Sequence, residues 1–161
     1  MAAEDEATFG LIPVVTRGWG RKGSRPVAII NHAHKYTNVF GARSRHAFVF
    51  MFSPKKNQKA FLKFCDKLLG RWHKVFLFVD GARAHKGANV EKFLKAHKKT
   101  FKIGYFPKYT PELNPAEQCW KAGRKGAANR LLMNMPAMKY HLRKTFDDKK
   151  SLPKMFRYLV N

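Results

Sequence analysis

Residues 74–120 of this chain read KVFLFVDGARAHKGANVEKFLKAHKKTFKIGYFPKYTPELNPAEQCW. The apolar, β-prone run 75–79 ends at Asp80, which predicts a buried strand of a parallel or mixed sheet. An acid at the carboxyl end of such a strand points into the crevice where α/β sheets place their ligands. Glu117 follows a turn-rich segment, 107–115, at the predicted start of a helix. The stretch therefore predicts a strand end and a helix start that converge on one site.

Glu117 also has a purely structural explanation. Asn114, Pro115 and Glu117 fit the N-cap, first and third positions of a helix, so Glu117 could close a capping box with Asn114. From these residues alone, a catalytic role and a capping role are equally open. Trp120 lies on the same helix face about one turn later, where core packing is expected.

Two strings in this stretch, VDGARAH (79–85) and YTPELNPAEQCW (109–120), resemble the C-terminal motifs of DDE transposases, in the insertion-sequence branch related to the mariner group. In that pattern an apolar strand ends in Asp, often followed directly by Asn, and Pro-x-Tyr-Ser-Pro-x-Leu-Asn-Pro-x-Glu precedes a Trp. Thr110 stands here for Ser, and Gly81 for the usual Asn. The matching positions are Pro107, Tyr109, Pro111, Leu113, Asn114, Pro115, Glu117 and Trp120.

The stretch EDEATFGLIPVVTRGWGRKGSRP (4–26) resembles the first motif of the same family and makes Asp5 the first acid of a triad. The resemblance implies that Asp5, Asp80 and Glu117 are catalytic and hold two Mg²⁺ or Mn²⁺ ions. It implies DNA cleavage and strand transfer at transposon ends, with double-stranded DNA as partner and a homodimer when two ends are held together. His85 is expected to orient a phosphate, or alternatively to cap a loop.

The resemblance also implies a ribonuclease-H-like α/β fold, in which an antiparallel meander extended by parallel strands forms a mixed five-stranded sheet flanked by helices. The patterning agrees, with the order β-β-β-α-β-α-β-α. The predicted strands are residues 3–9, 26–31, 46–52, 75–79 and 101–106. The predicted helices are 54–73, 88–97, one that begins near Glu117, and two short ones within 131–161, broken at Pro136 and Pro153. We expect one catalytic domain over 1–161 and no N-terminal helix-turn-helix region.

The net charge of +23, from 33 basic and 10 acidic residues, implies a polyanionic partner. Nucleic acid is the first expectation and an anionic membrane surface the alternative. No apolar run approaches the ~20 residues of a membrane span, and the acidic start has no signal-peptide core. We therefore expect a cytoplasmic, nucleoid-associated protein without a membrane partner. Two rival functions stay open: a catalytically decayed remnant that only binds nucleic acid, and a basic structural protein such as a ribosomal component.

A Gly- and Arg-rich turn at residues 16–26 is the first candidate DNA surface. Its tryptophan could stack on a base while the cations contact phosphates, or it could fold back on the core. Basic residues on the helix after Glu117 form the second candidate surface. The nucleic-acid-binding candidates are Arg17, Trp19, Arg21, Lys22, Arg25, His85, Lys121, Arg124 and Lys125.

Two further pairs of residues carry weaker signals. Cys65 and Cys119 are expected to be buried thiols in a reducing compartment rather than a disulfide. His32 and His34 have metal-binding chemistry but no cysteine partner nearby, so we expect them to face solvent.

Overall fold

The computed structural model describes residues 1–25, 27–107, 110, 113–150 and 152, with five strands in one mixed sheet of order β3-β2-β1-β4-β5. The strands are β1 (Ala2–Gly10), β2 (Tyr36–Ser44), β3 (Phe48–Ser53), β4 (Val75–Val79) and β5 (Phe101–Tyr105). The helices are α1 (Gln58–Trp72), α2 (Ala88–Ala96), α3 (Ala116–Ala127) and α4 (Met135–Asp147). One short 3-10 turn, Arg83–His85, follows β4. This is the ribonuclease-H-like α/β arrangement, so the predicted fold class is confirmed.

Strand pairing opens the sheet beside β1. β1 pairs with β2 in antiparallel fashion over its whole length, but its parallel pairing with β4 covers only Ala2↔Leu77 and Ala3↔Phe78. The same register carried two residues further brings Asp5 level with Asp80. β1 and β4 are no longer hydrogen-bonded at these two residues, so the two strands split apart there and leave a crevice between them.

Helices cover both faces of the sheet. α1 and α2 enclose one core, whose largest fully buried side chains include Phe40, Phe61 and Phe64. α3 and α4 enclose the other, in which Trp120 and Phe146 are almost completely buried. Burial of such aromatic side chains contributes roughly 1.5–3 kcal/mol each relative to exposure. β1 therefore lies between two cores, and its alternate residues face one or the other.

The expected strand at residues 26–31 is wrong. Residues 27–31 form no strand, and Val27 and Ile29 are 88% and 71% exposed. The second strand is β2, in the segment expected to be a connection. Polar residues interrupt its apolar pattern, and their hydrogen-bond partners lie in other segments of the chain. The Asn38 side chain, for example, accepts from the Thr8 hydroxyl and donates to the carbonyl oxygen of Pro54.

Two helix boundaries differ from their expected positions. α1 begins four residues after Pro54 because Asn57 is its N-cap and accepts from the Ala60 N–H at 2.9 Å. Pro136 was expected to break a helix, but it lies in the first turn of α4, where its missing N–H is no loss. The second expected helix, near Pro153, lies outside the described residues. The other expected elements are confirmed.

Both cysteines are free and buried, as expected. Burial raises the pKa of the Cys65 thiol above its ordinary value and that of Cys119 to about 12. Across the described part of the chain, none of the helices has the length and apolarity that crossing a bilayer requires.

Candidate active site

Asp5 lies in the middle of β1 and is held by Trp120 of α3. The indole Nε1–H of Trp120 donates to Asp5 Oδ2 at 2.8 Å. The indole itself is fixed by edge contacts with Phe48, Phe146 and other rings, at centroid distances of 5.4 and 5.7 Å for these two. The expected core packing of Trp120 is confirmed, and the same side chain also positions a carboxylate.

A glycine makes room for that contact. Gly41 of β2 pairs directly with Asp5, and a Cβ atom on it would collide with Trp120 and come within 2.6 Å of Phe48. Real Cβ contacts are not this short. The indole can therefore lie against β2 and reach Asp5 only because residue 41 has no side chain.

Asp80 directly follows β4, and residues of the loop after it orient its side chain. Its Oδ1 accepts from the Ala82 N–H at 2.9 Å and lies 2.9 Å from His85 Nδ1. Both contacts use Oδ1, which leaves Oδ2 for another partner. The Asp80 side chain is 56% exposed, so this second oxygen is accessible from solvent.

Glu117 lies in the first turn of α3, and Asn114 ties that turn to β1. The Asn114 amide donates to the Glu4 carbonyl oxygen at 2.9 Å, while its Oδ1 accepts from the Ala116 N–H at 3.0 Å. The N-cap position belongs to Pro115, which makes no side-chain cap. Within the described residues the Glu117 side chain makes no hydrogen bond, so the alternative of a reciprocal capping box is wrong.

The three acids line one cleft of about 200 Å³. Asp5 comes from a strand, Asp80 from the end of another strand and Glu117 from a helix start. The remaining lining residues are Phe106, Pro107, Thr110 and Asn114. Of the motif residues used in the sequence comparison, Tyr109 and Pro111 lie outside the described residues.

The electrostatics of this cleft favour a bound cation. Burial raises the pKa of Asp5 to about 6, and the charges of Glu117 and Glu6 add to the shift, although the Trp120 hydrogen bond opposes it. Carboxylate oxygens that repel one another in a partly buried cleft are the donors that hard divalent ions prefer. The residues present therefore fit Mg²⁺ or Mn²⁺.

The opposite face of β1 holds a second acidic cluster that the sequence did not reveal. Glu4 is fully buried and Glu6 partly so, and His85 Nε2 lies 3.5 Å from Glu4 Oε2 and 3.3 Å from Glu6 Oε1. Burial, followed by the charges of Glu6, Asp5 and Asp80, raises the pKa of Glu4 well above its ordinary value. Strand alternation predicts that Glu4 and Glu6 share a face, but the sequence gives no signal that His85 meets them.

The position of His85 does not fit the expected phosphate contact. Its side chain is 1% exposed and its two ring nitrogens face Asp80 on one side and Glu4 and Glu6 on the other. Burial lowers the pKa of the ring, but the hydrogen bond and charge of Glu6, together with Asp80, outweigh burial and raise it above its ordinary value. Surrounded by carboxylates and closed to solvent, this ring offers a phosphate no surface in this structure.

The other candidate DNA contacts are on the surface. Trp19 is fully exposed, so the alternative in which it folds back on the core is wrong. Its segment is anchored near its start, where the Asn129 amide donates to the Thr16 carbonyl oxygen at 3.0 Å. The remaining exposed candidates are Arg17, Arg21, Lys22 and Arg25 around Trp19, and Lys121, Arg124 and Lys125 on α3.

Similar proteins identify the family and the fold of this chain. The family of DDE superfamily endonucleases matches residues 2–151, whereas no curated protein matches significantly. The Mos1 transposase paired-end complex with left transposon end has a TM-score of 0.69 at 16% identity, over 94% of this chain and 50% of that chain. The catalytic domain of Mos1 mariner transposase has a TM-score of 0.64 at 14% identity, over 93% and 71% of the two chains.

The structural likeness at these identities shows the fold, and this chain spans about half the length of Mos1 in the paired-end complex. The family match carries the assignment, because it extends over nearly the whole chain and includes all three acids of the cleft. The resemblance found in the sequence motifs is thereby confirmed: this chain belongs to the DDE superfamily endonucleases.

Proposed function

We propose that this chain is the catalytic core of a DNA transposase, which hydrolyses phosphodiester bonds and transfers DNA strands at transposon ends. The observation that carries the proposal is the convergence of Asp5, Asp80 and Glu117, from three separate elements, on one cleft. A cluster of carboxylates repels a polyanionic substrate unless cations lie between them. The cleft is therefore suited to a substrate phosphate that arrives together with metal ions.

The donor set fits two hard cations. Asp5, Asp80 and Glu117 would hold two Mg²⁺ or Mn²⁺ ions, which when bound supply activation of the attacking water or 3′-hydroxyl and stabilisation of the leaving oxygen. Paired-end complexes of mariner Mos1 with Mg and with Mn support this choice of ions. Burial, with a smaller contribution from the charges of Glu117 and Glu6, raises the pKa of Asp5, and bound cations would favour its ionised form against both effects.

The protein's own contribution is to hold these carboxylates in place before the substrate binds. The Trp120 N–H fixes one oxygen of Asp5, and the Ala82 N–H fixes one oxygen of Asp80. Asn114 fastens the first turn of α3, and with it Glu117, to the backbone of β1. Such fixed polar groups lower the reorganisation that a reaction would otherwise require.

Double-stranded DNA would be held by the two exposed basic surfaces described above. The cations around Trp19 and those on α3 would contact phosphates, which fixes the position of the duplex without reading its sequence. With a net charge of +23 the binding should weaken steeply as salt is added. A complex that holds two transposon ends would require a homodimer.

Asp80→Asn tests the mechanism. Mn²⁺-dependent nicking of supercoiled plasmid should disappear, while the affinity for a short duplex stays the same or rises, because one negative charge near the DNA is removed. Asp66→Asn is the matched control, since Asp66 is an exposed acid on α1 that does not line the cleft. Nicking that survives in the Asp80 variant would show the mechanism to be wrong.

The second candidate, a nucleic-acid-binding remnant without catalysis, draws on the same charge and on Gly81 in place of the usual Asn. In that case the wild type would bind DNA in a salt-dependent manner, require no divalent ion and cut no plasmid.

A further inference from the structure

The cluster on the other face of β1 is chemically different from the cleft. It is built from Glu4, Glu6 and His85, and one potential ligand atom of each lies within 4.8 Å of the others. Glu4 is completely buried, and neither of its carboxylate oxygens has a hydrogen-bond partner among the described residues. A buried carboxylate that stays ionised without a partner is strongly disfavoured, so Glu4 is either protonated or paired with a cation that the hydrogen bonds among the described residues do not supply.

The orientation of His85 shows where that partner would lie. Nδ1 lies 3.2 Å from the Asp80 carbonyl oxygen and 2.9 Å from Asp80 Oδ1, and both of these oxygens can only accept. Nδ1 therefore carries a hydrogen, and Nε2 is the nitrogen that faces Glu4 and Glu6. A bare Nε2 lone pair would repel two ionised carboxylates, so either a hydrogen or a metal ion lies between these three groups.

The distances favour a metal ion over a proton. A charge-assisted N–H···O bond is about 2.7–2.9 Å long, whereas Nε2 lies 3.3 Å from Glu6 Oε1 and 3.5 Å from Glu4 Oε2. Ligands at about 2.0–2.1 Å from a tetrahedral Zn²⁺ are separated by about 3.3–3.4 Å. A proton on Nε2 or on Glu4 would join only two of the three groups at a time, and 3.5 Å between Nε2 and Glu4 Oε2 is long for a hydrogen bond of either kind, while an ion contacts all three groups.

We propose that Glu4, Glu6 and His85 form a second metal site, outside the cleft, for a divalent transition-metal cation, for which Zn²⁺ with a water as its fourth ligand would be the best fit. Imidazole nitrogen with two carboxylates suits Zn²⁺ better than Mg²⁺, which favours oxygen alone. Asp80 fixes the ring from behind through Nδ1, as outer-shell carboxylates do for metal-bound histidines. Phe61, 4.4 Å from the His85 ring between centroids, closes the site on the α1 side.

The site would fasten the Arg83–His85 turn to β1. Lys56 is the neighbouring cation, but its Nζ contacts the backbone oxygen of Glu6 at 3.3 Å rather than either carboxylate. Asp80 lines the cleft and also contacts His85 Nδ1, so it takes part in both sites. The inference does not depend on the proposed function, because none of the three ligands lines the cleft.

Zn²⁺ binding to the full chain, measured by calorimetry, is the first test. The wild type should bind one ion that Glu6→Gln and His85→Gln weaken roughly a hundredfold or more, since even outer-shell losses cost about 10–100-fold. The double variant Asp5→Asn/Glu117→Gln should retain it, which separates this site from the cleft. His46→Gln, in an exposed loop, is the matched histidine control. Equal affinity in all of these variants would overturn the proposal.

A second measurement needs no variant. In a protein with ¹⁵N-labelled histidine, Zn²⁺ should shift the Nε2 resonance of His85 and remove any proton from that atom, and bound Co²⁺ should give the intense visible absorption of a four-coordinate ion. If His85 stays doubly protonated at saturating Zn²⁺, the charge between the carboxylates is a proton and the metal site does not exist.

Discussion

The two faces of β1 place neighbouring acids in opposite environments. Asp5 faces α3, lines an open cleft with Asp80 and Glu117, and has a fixed hydrogen-bond donor in Trp120. Glu4, one residue earlier, faces α1 and is buried beside His85, and its carboxylate has no hydrogen bond among the described residues. Solvent access and the hydrogen-bond donors nearby therefore decide what each acid can do, since both carry the same carboxyl group.

The split between β1 and β4 causes this difference. Their pairing stops at Ala3↔Phe78, and the start of α3 reaches β1 through Asn114. On the other face the Arg83–His85 turn covers the same gap, with the Tyr105 hydroxyl donating to the His85 carbonyl oxygen at 3.3 Å. One side of the gap stays open to substrate, and the other is closed by protein.

The largest expected effect is on the open side. Asp5→Asn should lower Mn²⁺-dependent nicking by more than about a hundredfold, because loss of a ligand exceeds the about 10–100-fold cost of losing an outer-shell partner. Its free energy of unfolding at pH 7 should be unchanged or higher, since burial already disfavours the charged form. Nicking rates and urea unfolding check both halves. Lower activity that merely follows lower stability would contradict the assignment.

Gly41→Ala should disturb the open side by an indirect route. The added methyl group collides with Trp120 and Phe48, and overpacking of this kind costs about 1–3 kcal/mol. As the indole moves, Asp5 loses its donor and nicking falls in step. Urea unfolding and nicking rates measure the two effects.

Gly70→Ala in α1 is the matched control for that substitution. An added Cβ meets nothing within 4 Å there, so the variant should be neutral or more stable by about 0.5–1 kcal/mol. If both glycine variants behave alike, the contact between Trp120 and residue 41 has no special role.

A smaller effect is expected from pH. The pKa of Asp5 is 3.8 in the unfolded chain and about 6 in the folded protein. Above about pH 6 the ionised side chain of Asp5 therefore lowers the free energy of unfolding, and this loss disappears as the pH falls towards 4. Metal affinity changes in the opposite sense, because Asp5 must lose its proton to bind a cation. Nicking should therefore fall below about pH 6 while the contribution of Asp5 to stability rises.

Thermal unfolding at several pH values tests whether the contribution of Asp5 to stability rises as the pH falls. In the metal-free protein the raised pKa of His85 acts in the same direction, since its stabilising contribution is complete below its unfolded value of 6.5 and is lost as the pH rises through the folded value. Asp5→Asn should remove only the part of the profile that belongs to Asp5. A pH profile identical to that of the wild type would mean that the pKa of Asp5 is not raised.

Local patterns account for the elements that were predicted correctly. The helical spacing of Phe61, Cys65 and Leu68 in α1 and the apolar run of β4 each fix a structure within one element. The apolar run at 27–30 misled for the same reason, since a local pattern indicates apolarity but not whether a partner strand is available. In β2 that partner is β1, paired at every position.

The sequence by itself determined the charge, most of the helices and strands, and, through its motifs, the three acids Asp5, Asp80 and Glu117. Tertiary structure alone decided that Trp120 holds Asp5, that Gly41 makes room for it, and that Glu4 and Glu6 meet His85, which is 79 positions from Glu6. The physical reason is that periodicity reports which face of an element is buried. The groups that meet across that face depend on strand register and helix packing, which long-range contacts set.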